Sequence, residues 1–354
     1  MALKWIEGFE GYGDAINAGP DGIMIVSRYI AYVSYWLMDL KTGRDLNGWS
    51  LKIAYDHWVR RYLISDALTT DDTMVFGCAF QANVGNNGNG LICGLSRAQR
   101  PGMEVHVNAD GTLRVAKSTG SGLSRANYSV GTLLGTSTGT ISFNTWYYLE
   151  LKVYSDASGT WDLRINGTSW ASGSSTDTRC NGELNSGFFL DAGENMSVIY
   201  DDIYCLDSTG SYNNDCLGPQ QVMAIIPDGM DTTGWTPSAS TNNSCVDDGP
   251  GINTADYVTA DANDEKDLYD YAAIASGMGE INGIVIHTET EVIAGAGSVT
   301  TVIKSGSEYD ETSDNQVSGS RHSVSRLAER NPNGSAQWTE SSVNAAQFGI
   351  KAST

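Results

Sequence analysis

The sequence predicts an all-β protein of two domains. Three observations carry that expectation. The chain of 354 residues holds 40 Gly and 17 Tyr, and only 18% of it is charged. Gly, Ser, Thr, Asn and Tyr suit strands joined by many turns, whereas long helices need more Glu and Lys. Apolar and polar residues alternate with a period of two in several segments, and tight-turn dipeptides such as Asn166-Gly167 and Asn282-Gly283 fall beside them.

In chain order, Phe76 to Arg97 reads as two strands around the exposed loop Gly85-Asn86-Asn87-Gly88-Asn89-Gly90, a hairpin tip or a contact loop. In Gly102 to Val107, Met103, Val105 and Val107 point one way and Glu104 and His106 the other. Asn108 to Gly111 is the turn, and Leu113 and Val115 lie on the return strand. A second hairpin joins Trp146–Tyr154 through Ser155–Gly159 to Trp161, Leu163 and Ile165, and Asn166-Gly167 turns the chain again toward Trp170. Ser197 to Leu206 closes the region. Strands at this spacing predict a sandwich that buries Trp and Leu and leaves Glu, Lys and Arg in water.

The composition changes from Asp207 to Pro237, where Gly, Pro, Asn and Asp cluster around one apolar run, Val222 to Ile226. The expected domains are 1–210 and 231–354, with 211–230 as linker. In the second, Ile281 to Glu289 alternates, and Val292-Ile293 and Val299–Ile303 flank Ala294–Ser298 as a further hairpin. Trp235 opens this domain and Trp338 closes it; with Phe348 they are expected to clasp one core, since domain ends commonly lie close together. Thr339 is expected to cap a short helical turn from Glu340 to Ala346, with Val343 and Ala346 on one side, before Phe348 and Ile350 alternate in a last strand.

Composition excludes several functions. A net charge of −21 supplies no basic stripe for nucleic acid or an anionic membrane surface. Gly22 to Leu40 contains Arg28 and three tyrosines and reads as a buried strand rather than a membrane span. The N-terminus meets Glu7 before any apolar region forms, so no signal peptide is expected. Cys78, Cys93, Cys180, Cys205, Cys216 and Cys245 form no CxxC pair and read mostly as buried thiols. Cys205 with Cys216 is the pair best placed to close a loop, but free thiols are the preferred reading. His57, His106, His287 and His322 are dispersed and suggest no metal cluster.

The segment from about residue 5 to 206 resembles the concanavalin A-like lectin and glucanase superfamily, laminin-G-like domains included. Glu7-Gly8-Phe9-Glu10, Phe143–Glu150, Trp161–Gly167 and Tyr200-Asp201-Asp202-Ile203-Tyr204 carry the likeness. It implies a jelly-roll sandwich. Glucanases of that superfamily place Glu-x-Asp-x-x-Glu on one strand, with acid and nucleophile about 5 Å apart. The nearest match here, Glu265-Lys266-Asp267-Leu268-Tyr269-Asp270, ends in Asp and lies outside the sandwich. Glu150 stands alone beside Lys152, so no catalytic residues are expected and the chain reads as non-enzymatic. A lectin role would use exposed aromatic residues, and Tyr12, Tyr128, Trp170 and Tyr212 are the glycan-contact candidates. Asp201, Asp202 and the Asp191–Asn195 loop offer oxygens to Ca²⁺, although pairing with turn amides or Arg is the preferred reading; no other cofactor is implied. The acid-rich stretch Asp256 to Asp270 reads as a solvated loop.

Residues 231–352 resemble a domain recurrent in structural proteins of tailed bacteriophages. The likeness rests on Gly234-Trp235-Thr236-Pro237, Ala255-Asp256-Tyr257-Val258, Lys266–Asp270, Ile281–Ile284, Asn331–Thr339, Val343-Asn344-Ala345 and Phe348-Gly349-Ile350, with Asn-Pro where Asp-Pro is commoner. It implies a virion protein assembled in the host cytoplasm, partnered by other virion proteins and by copies of itself. A tail adhesin touching host surface polysaccharide and a capsid decoration protein are the two placements. A secreted glycan-binding or glycan-hydrolysing protein is the distant third.

Overall fold

A computed structural model describes residues 2–10, 30–31, 38–44, 48–54, 62–64, 73–84, 90–97, 100–118, 131–180, 182–193, 196–249, 253–292, 297–311, 314–317 and 321–353. Strands make up 58% of the described residues and helix 3%, which places the protein in the all-β class. It divides into two compact units, with the boundary between Met223 and Ala224.

The first unit runs through β1 (Leu3–Glu7), β2 (Ile30–Ala31), β3 (Met38–Thr42), β4 (Trp49–Ala54), β5 (Tyr62–Ile64), β6 (Thr73–Val84), β7 (Gly90–Arg97) and β8 (Arg100–Val107). It continues with β9 (Thr112–Lys117), β10 (Thr132–Thr140), β11 (Trp146–Tyr154), β12 (Gly159–Ile165), β13 (Thr168–Thr176), β14 (Gly187–Asp191) and β15 (Met196–Asp207). One antiparallel sheet has the order β13-β12-β11-β6-β15-β4-β3, with β1 joined to β15 beyond β4. The other has the order β10-β9-β8-β7-β14-β5-β2.

Aromatic side chains fasten the two sheets face to face. Phe76 of β6 stacks on Phe188 of β14 at 5.1 Å, and Trp5 meets the same ring edge-on at 6.2 Å. The Tyr200 hydroxyl of β15 donates to the backbone oxygens of Asp191, at 2.5 Å, and Ile92 in the opposite sheet. Trp161 lies against Gly135 and Gly173, where an added Cβ would come within 2.6 and 2.4 Å of its ring. Two flat strand positions thus make the slot a large side chain needs.

The expected hairpins 102–115 and 146–165 are present as β8–β9 and β11–β12. Asn166 and Gly167 take φ of 50° and 78°, which a tight turn with two left-handed residues requires. Two expectations need correction. β6 and β7 sit in different sheets, so they form no hairpin; the loop residues 85–89 lie outside the described residues. The polar sides of the strands are not all in water either, since Glu104, His106, Glu150 and Arg97 are buried. Alternation reports that two faces differ, not which of them is covered.

The reason for the burial of Glu150 is visible. Residues 215–222, expected as part of a linker, run along the outer face of the first sheet. The Gly218 N–H donates to Glu150 Oε1 at 2.8 Å, and the Leu217 N–H to the Tyr204 hydroxyl at 3.1 Å. Tyr204 in turn donates to Glu150 Oε1 at 2.5 Å. Lys152 pairs with Asp215, and the Val222 N–H reaches Asp202. Tyr204 fits because Gly77 opposite it lacks a Cβ, which would approach the ring to 2.3 Å.

The second unit contains β16 (Pro227–Thr233), β17 (Thr236–Pro237), β18 (Val258–Thr259), β19 (Lys266–Tyr271), β20 (Ile284–Thr290), β21 (Gly297–Ser305), β22 (Glu308–Asp310), β23 (Asp314–Val317), β24 (His322–Ala328), α1 (Glu340–Asn344) and β25 (Gln347–Ser353). Its main sheet has the order β16-β19-β25-β21-β22, with β23 also on β21; β17–β18 and β20–β24 are separate pairs. The hairpin expected around Ala294–Ser298 is therefore not formed: β20 pairs with β24 and β21 with β25. Residues 293–296 lie outside the described residues.

The C-terminal segment behaves as its sequence suggests. Thr339 caps α1 by accepting from the Ser342 N–H at 3.1 Å, while the Ser342 hydroxyl accepts from the Thr339 N–H at 2.8 Å. Val343 and Ala346 point into a core with Trp338, Phe348, Ile286, Ile303 and Ala328. Trp338 is 2% exposed and its indole N–H donates to the Ala328 oxygen at 3.1 Å. Trp235 is placed elsewhere in the unit. Its backbone N–H donates to Asp267, and its indole N–H to the Glu265 oxygen. Asp267 itself is fully buried, an exception within the acid-rich stretch, and accepts from Gly234 N, Trp235 N, the Asn242 amide and the Tyr269 hydroxyl at 2.7–2.8 Å.

Two substitutions test this unit by urea unfolding. Trp338→Ala is expected to cost about 3–5 kcal/mol through the cavity it leaves. Asp267→Ala leaves four donors, the Asn242 amide and the Tyr269 hydroxyl among them buried, without their acceptor and is expected to cost about 2–3 kcal/mol. A loss below about 1 kcal/mol in either variant contradicts the packing described.

Candidate functional site

Two polar groupings of the first unit are built precisely enough to be candidates. The first lies on the outer face of the sheet that contains β8. Val105 faces inward with its partners Cys93 and Val115, so Glu104 and His106 face outward. His106 Nε2 lies 2.9 Å from Glu104 Oε2, and both side chains are buried. Arg114 on β9 is the cross-strand neighbour of His106, and its Nε has no hydrogen-bond partner among the described residues. A carboxylate that holds an imidazole beside a guanidinium is an acid–base pair next to a cation. Sequence reading placed Glu104 and His106 on one face but assigned that face to solvent. The signal that could have singled them out is the Glu-x-His spacing with an Arg on the return strand.

The second grouping surrounds Asp201 and Asp202 on β15. Asp202 has φ of 49°, and β15 loses register with β6 between Asp201 and Tyr204. That irregularity turns both carboxylates toward Arg44. The Arg44 N–H donates to Asp201 Oδ2 at 2.8 Å, and its guanidinium pairs with Asp202 Oδ2 at 2.8 Å. The remaining oxygens accept from the Asp202 N–H and the Val222 N–H. Arg44 also lies over the Tyr148 ring at 5.7 Å. Glu10 approaches from beyond β1, across two glycines: a Cβ at Gly8 or Gly48 would lie 2.1 or 2.7 Å from its oxygens.

Burial raises the Glu10 pKa to about 10, helped by the charge of Asp201 and opposed by a backbone hydrogen bond. Burial, and then the charge of Asp202, raises Asp201 to about 8. These oxygens are already engaged by amide and guanidinium donors, so Asp201 and Asp202 do not fit a Ca²⁺ cage. Among the described residues no three His, Cys, Asp or Glu side chains are grouped to hold a metal. Glu194 and Asn195 of the Asp191–Asn195 loop lie outside the described residues, as does His57.

The glycan-contact candidates are not gathered into one site. Tyr12 and Tyr128 lie outside the described residues. Trp170 is half-buried on β13, edge-on to Tyr147 at 6.5 Å, and it covers Gly139 of β10. Tyr212 is 50% exposed, just beyond β15. Trp235, Trp338 and Phe348 serve the second unit as described above; Trp338 and Phe348 lie 6.2 Å apart.

The cysteines are free thiols. Cys205 pairs with Phe76 and so faces between the sheets, whereas Cys216 belongs to the segment on the outside of the same sheet. A sheet separates them, which rules out the bridge considered from their spacing.

No family model matches the sequence, and a search of curated proteins finds no match. Solved structures do resemble it. An endo-β-1,4-glucuronan lyase from the fungus Trichoderma reesei aligns at 12% identity over 52% of this chain and 90% of its own, with a TM-score of 0.40. A PL-14 alginate lyase from Aplysia kurodai aligns at 12% identity over 58% and 99%, with a TM-score of 0.42. The carbohydrate-binding module CBM66 from Bacillus subtilis aligns at 10% identity over 48% and 92%, with a TM-score of 0.34. The similar structures are thus β-sandwiches among both lyases and carbohydrate-binding proteins, and at these scores the likeness assigns no activity. None of the three is a phage protein by its description.

The carboxyl cluster makes a pH prediction. Glu10 and Asp201 hold protons in the folded chain that they release in the unfolded chain above about pH 4–5. The stability this provides is complete below that range and is lost as pH rises through about 8 for Asp201 and about 10 for Glu10. Unfolding free energy is therefore expected to fall from about pH 5 to pH 10, and Glu10→Gln to flatten the slope. A stability that climbs across this window, or a Gln variant with an unchanged slope, contradicts the assignment.

Proposed function

We propose that the chain is a non-enzymatic structural protein of a tailed-bacteriophage virion, carried on the tail, whose sandwich contacts host surface polysaccharide. The observation that carries the reading is the motif order from Gly234 to Ile350, together with the structural work its residues do. Trp338 fills the core, Thr339 caps α1, Val343 packs beneath it, and Phe348 lies in the strand at the middle of the sheet. A motif whose residues each hold the fold is the kind that a recurrent structural domain keeps. In this reading the protein works as copies of itself among other virion proteins, without a cofactor, in the assembled particle. Placement on the head as a capsid decoration protein would use the same domain.

A second reading, a glycan-active protein outside any virion, is favoured by one feature, the Glu104–His106 pair beside Arg114. Their mutual hydrogen bond and burial fit a structural pair better than a working acid and base.

Gold labelling of intact particles with an antibody against residues 231–354 tests the proposal. Label at the tail end is expected. Label spread over the head moves the protein to capsid decoration, and unlabelled particles remove the virion reading. On the polysaccharide side, the full chain is expected to bind host surface polysaccharide at millimolar concentration or below. Trp170→Ala should weaken that by about 1 kcal/mol, roughly fivefold in Kd. No binding by the full chain sinks the glycan contact, and release of new reducing or unsaturated ends from the polysaccharide sinks the non-enzymatic assignment.

A further inference from the structure

Residues 215–222 lie along the outer face of the first sheet without adding a strand to it. Their hold on that face is polar. At one end Asp215 pairs with Lys152 at 2.9 Å, between side chains that are 63% and 34% exposed. In the middle, the Leu217 N–H donates to the Tyr204 hydroxyl and the Gly218 N–H to Glu150. At the other end the Arg44 guanidinium donates to the Gln220 oxygen at 2.6 Å, and the Val222 N–H to Asp202 Oδ1 at 2.7 Å. None of residues 215–222 is buried, and the two aliphatic side chains, Leu217 and Val222, are half-buried.

We propose that residues 215–222 form a latch that lifts from the sheet while the sandwich stays folded, uncovering Glu150 and Tyr204. What holds the latch differs from what holds the sheet. The strands beneath it bury Phe76, Leu149, Leu151 and Cys205 completely between the two sheets, so they part only when the sandwich unfolds. The latch exchanges each of its bonds for one with water when it lifts, and such an exchange contributes little net stability. The surface ion pair of Asp215 with Lys152 adds less. Lifting does not orphan Glu150, because Tyr204 still donates to it at 2.5 Å and water takes the place of the Gly218 N–H. A segment held in this way opens at a free energy well below that of global unfolding. In the open state the Glu150 carboxylate and the Tyr204 hydroxyl can accept from the hydroxyl or amide donors of a ligand, as they accept from the latch when it is closed.

Two residues of the latch make its opening measurable. Gly218 has φ of 74°, and no atom lies within 4 Å of the place its Cβ would take. An alanine there strains the docked backbone without touching the sheet. Cys216 is the one cysteine that is not buried. In the closed latch its thiol is pushed up to about 12, first by burial and then by the charge of Glu150, with Arg164 opposing. Once lifted, the thiol regains its ordinary pKa and with it its reactivity. This inference does not depend on the virion reading.

The test is alkylation of the native full chain with iodoacetamide, whose iodide the Cys216 thiolate displaces, with the labelled peptides mapped by mass over time. Cys216 is expected to react while the five buried cysteines do not. Gly218→Ala is expected to speed Cys216 roughly five- to thirtyfold, the factor set by an alanine in the left-handed region, and to leave the other rates unchanged. If Cys216 reacts no faster than Cys78 and Cys205, the latch opens only with the sandwich and the proposal is overturned. An unchanged Cys216 rate in Gly218→Ala also overturns it, because the thiol is then reached without any opening. So does an equal acceleration of all the cysteines. Hydrogen exchange of the unsubstituted chain gives a second measurement. The amides of Leu217, Gly218 and Val222 are expected to exchange well before the paired amides of β6 and β11, and exchange of both sets together overturns the latch.

Discussion

Nine carboxylates are buried among the described residues: Glu7, Glu104, Glu150, Asp191, Asp201, Asp202, Asp207, Asp267 and Glu329. An acidic chain that hides so many carboxyl groups must provide each with donors or hold it protonated, because an unpaired buried charge costs several kcal/mol. Much of the irregular structure follows from that constraint. Glu150 and Asp202 draw residues 217–222 onto the outer face of the first sheet through backbone N–H groups. Asp267 gathers the Gly234-Trp235 corner and the Asn242 turn around β19. Asp207 ties the end of the sandwich to Lys4 and to the Thr209 turn. The strands set out the layers, and the buried acids decide where the connecting chain lies against them.

The same constraint separates two kinds of polar site. Asp267 and the Asp201–Asp202 pair have their oxygens engaged by internal donors, which is the signature of a structural carboxylate. The row formed by Glu104, His106 and Arg114 differs in composition, since an acid, an imidazole and a cation share one outer face of a sheet, but its acid and imidazole are covered as well.

The sequence alone determined the all-β class, the hairpins β8–β9 and β11–β12, the turn at Asn166-Gly167, the cap at Thr339 and the burial of Trp338. These are local matters. A turn needs particular residues at fixed offsets, a helix start needs an acceptor three residues before its partner, and a strand shows its two faces as a period of two. Only the tertiary structure decided that β6 and β7 belong to opposite sheets, that β25 inserts between β19 and β21, and that Trp235 serves Asp267 rather than the core of Trp338. It also decided that Glu104, His106 and Glu150 are covered. The reason is the same in each case. Strand pairing and the covering of a polar face join residues far apart in the chain, and alternation along one strand says nothing about which partner, or which cover, it will receive.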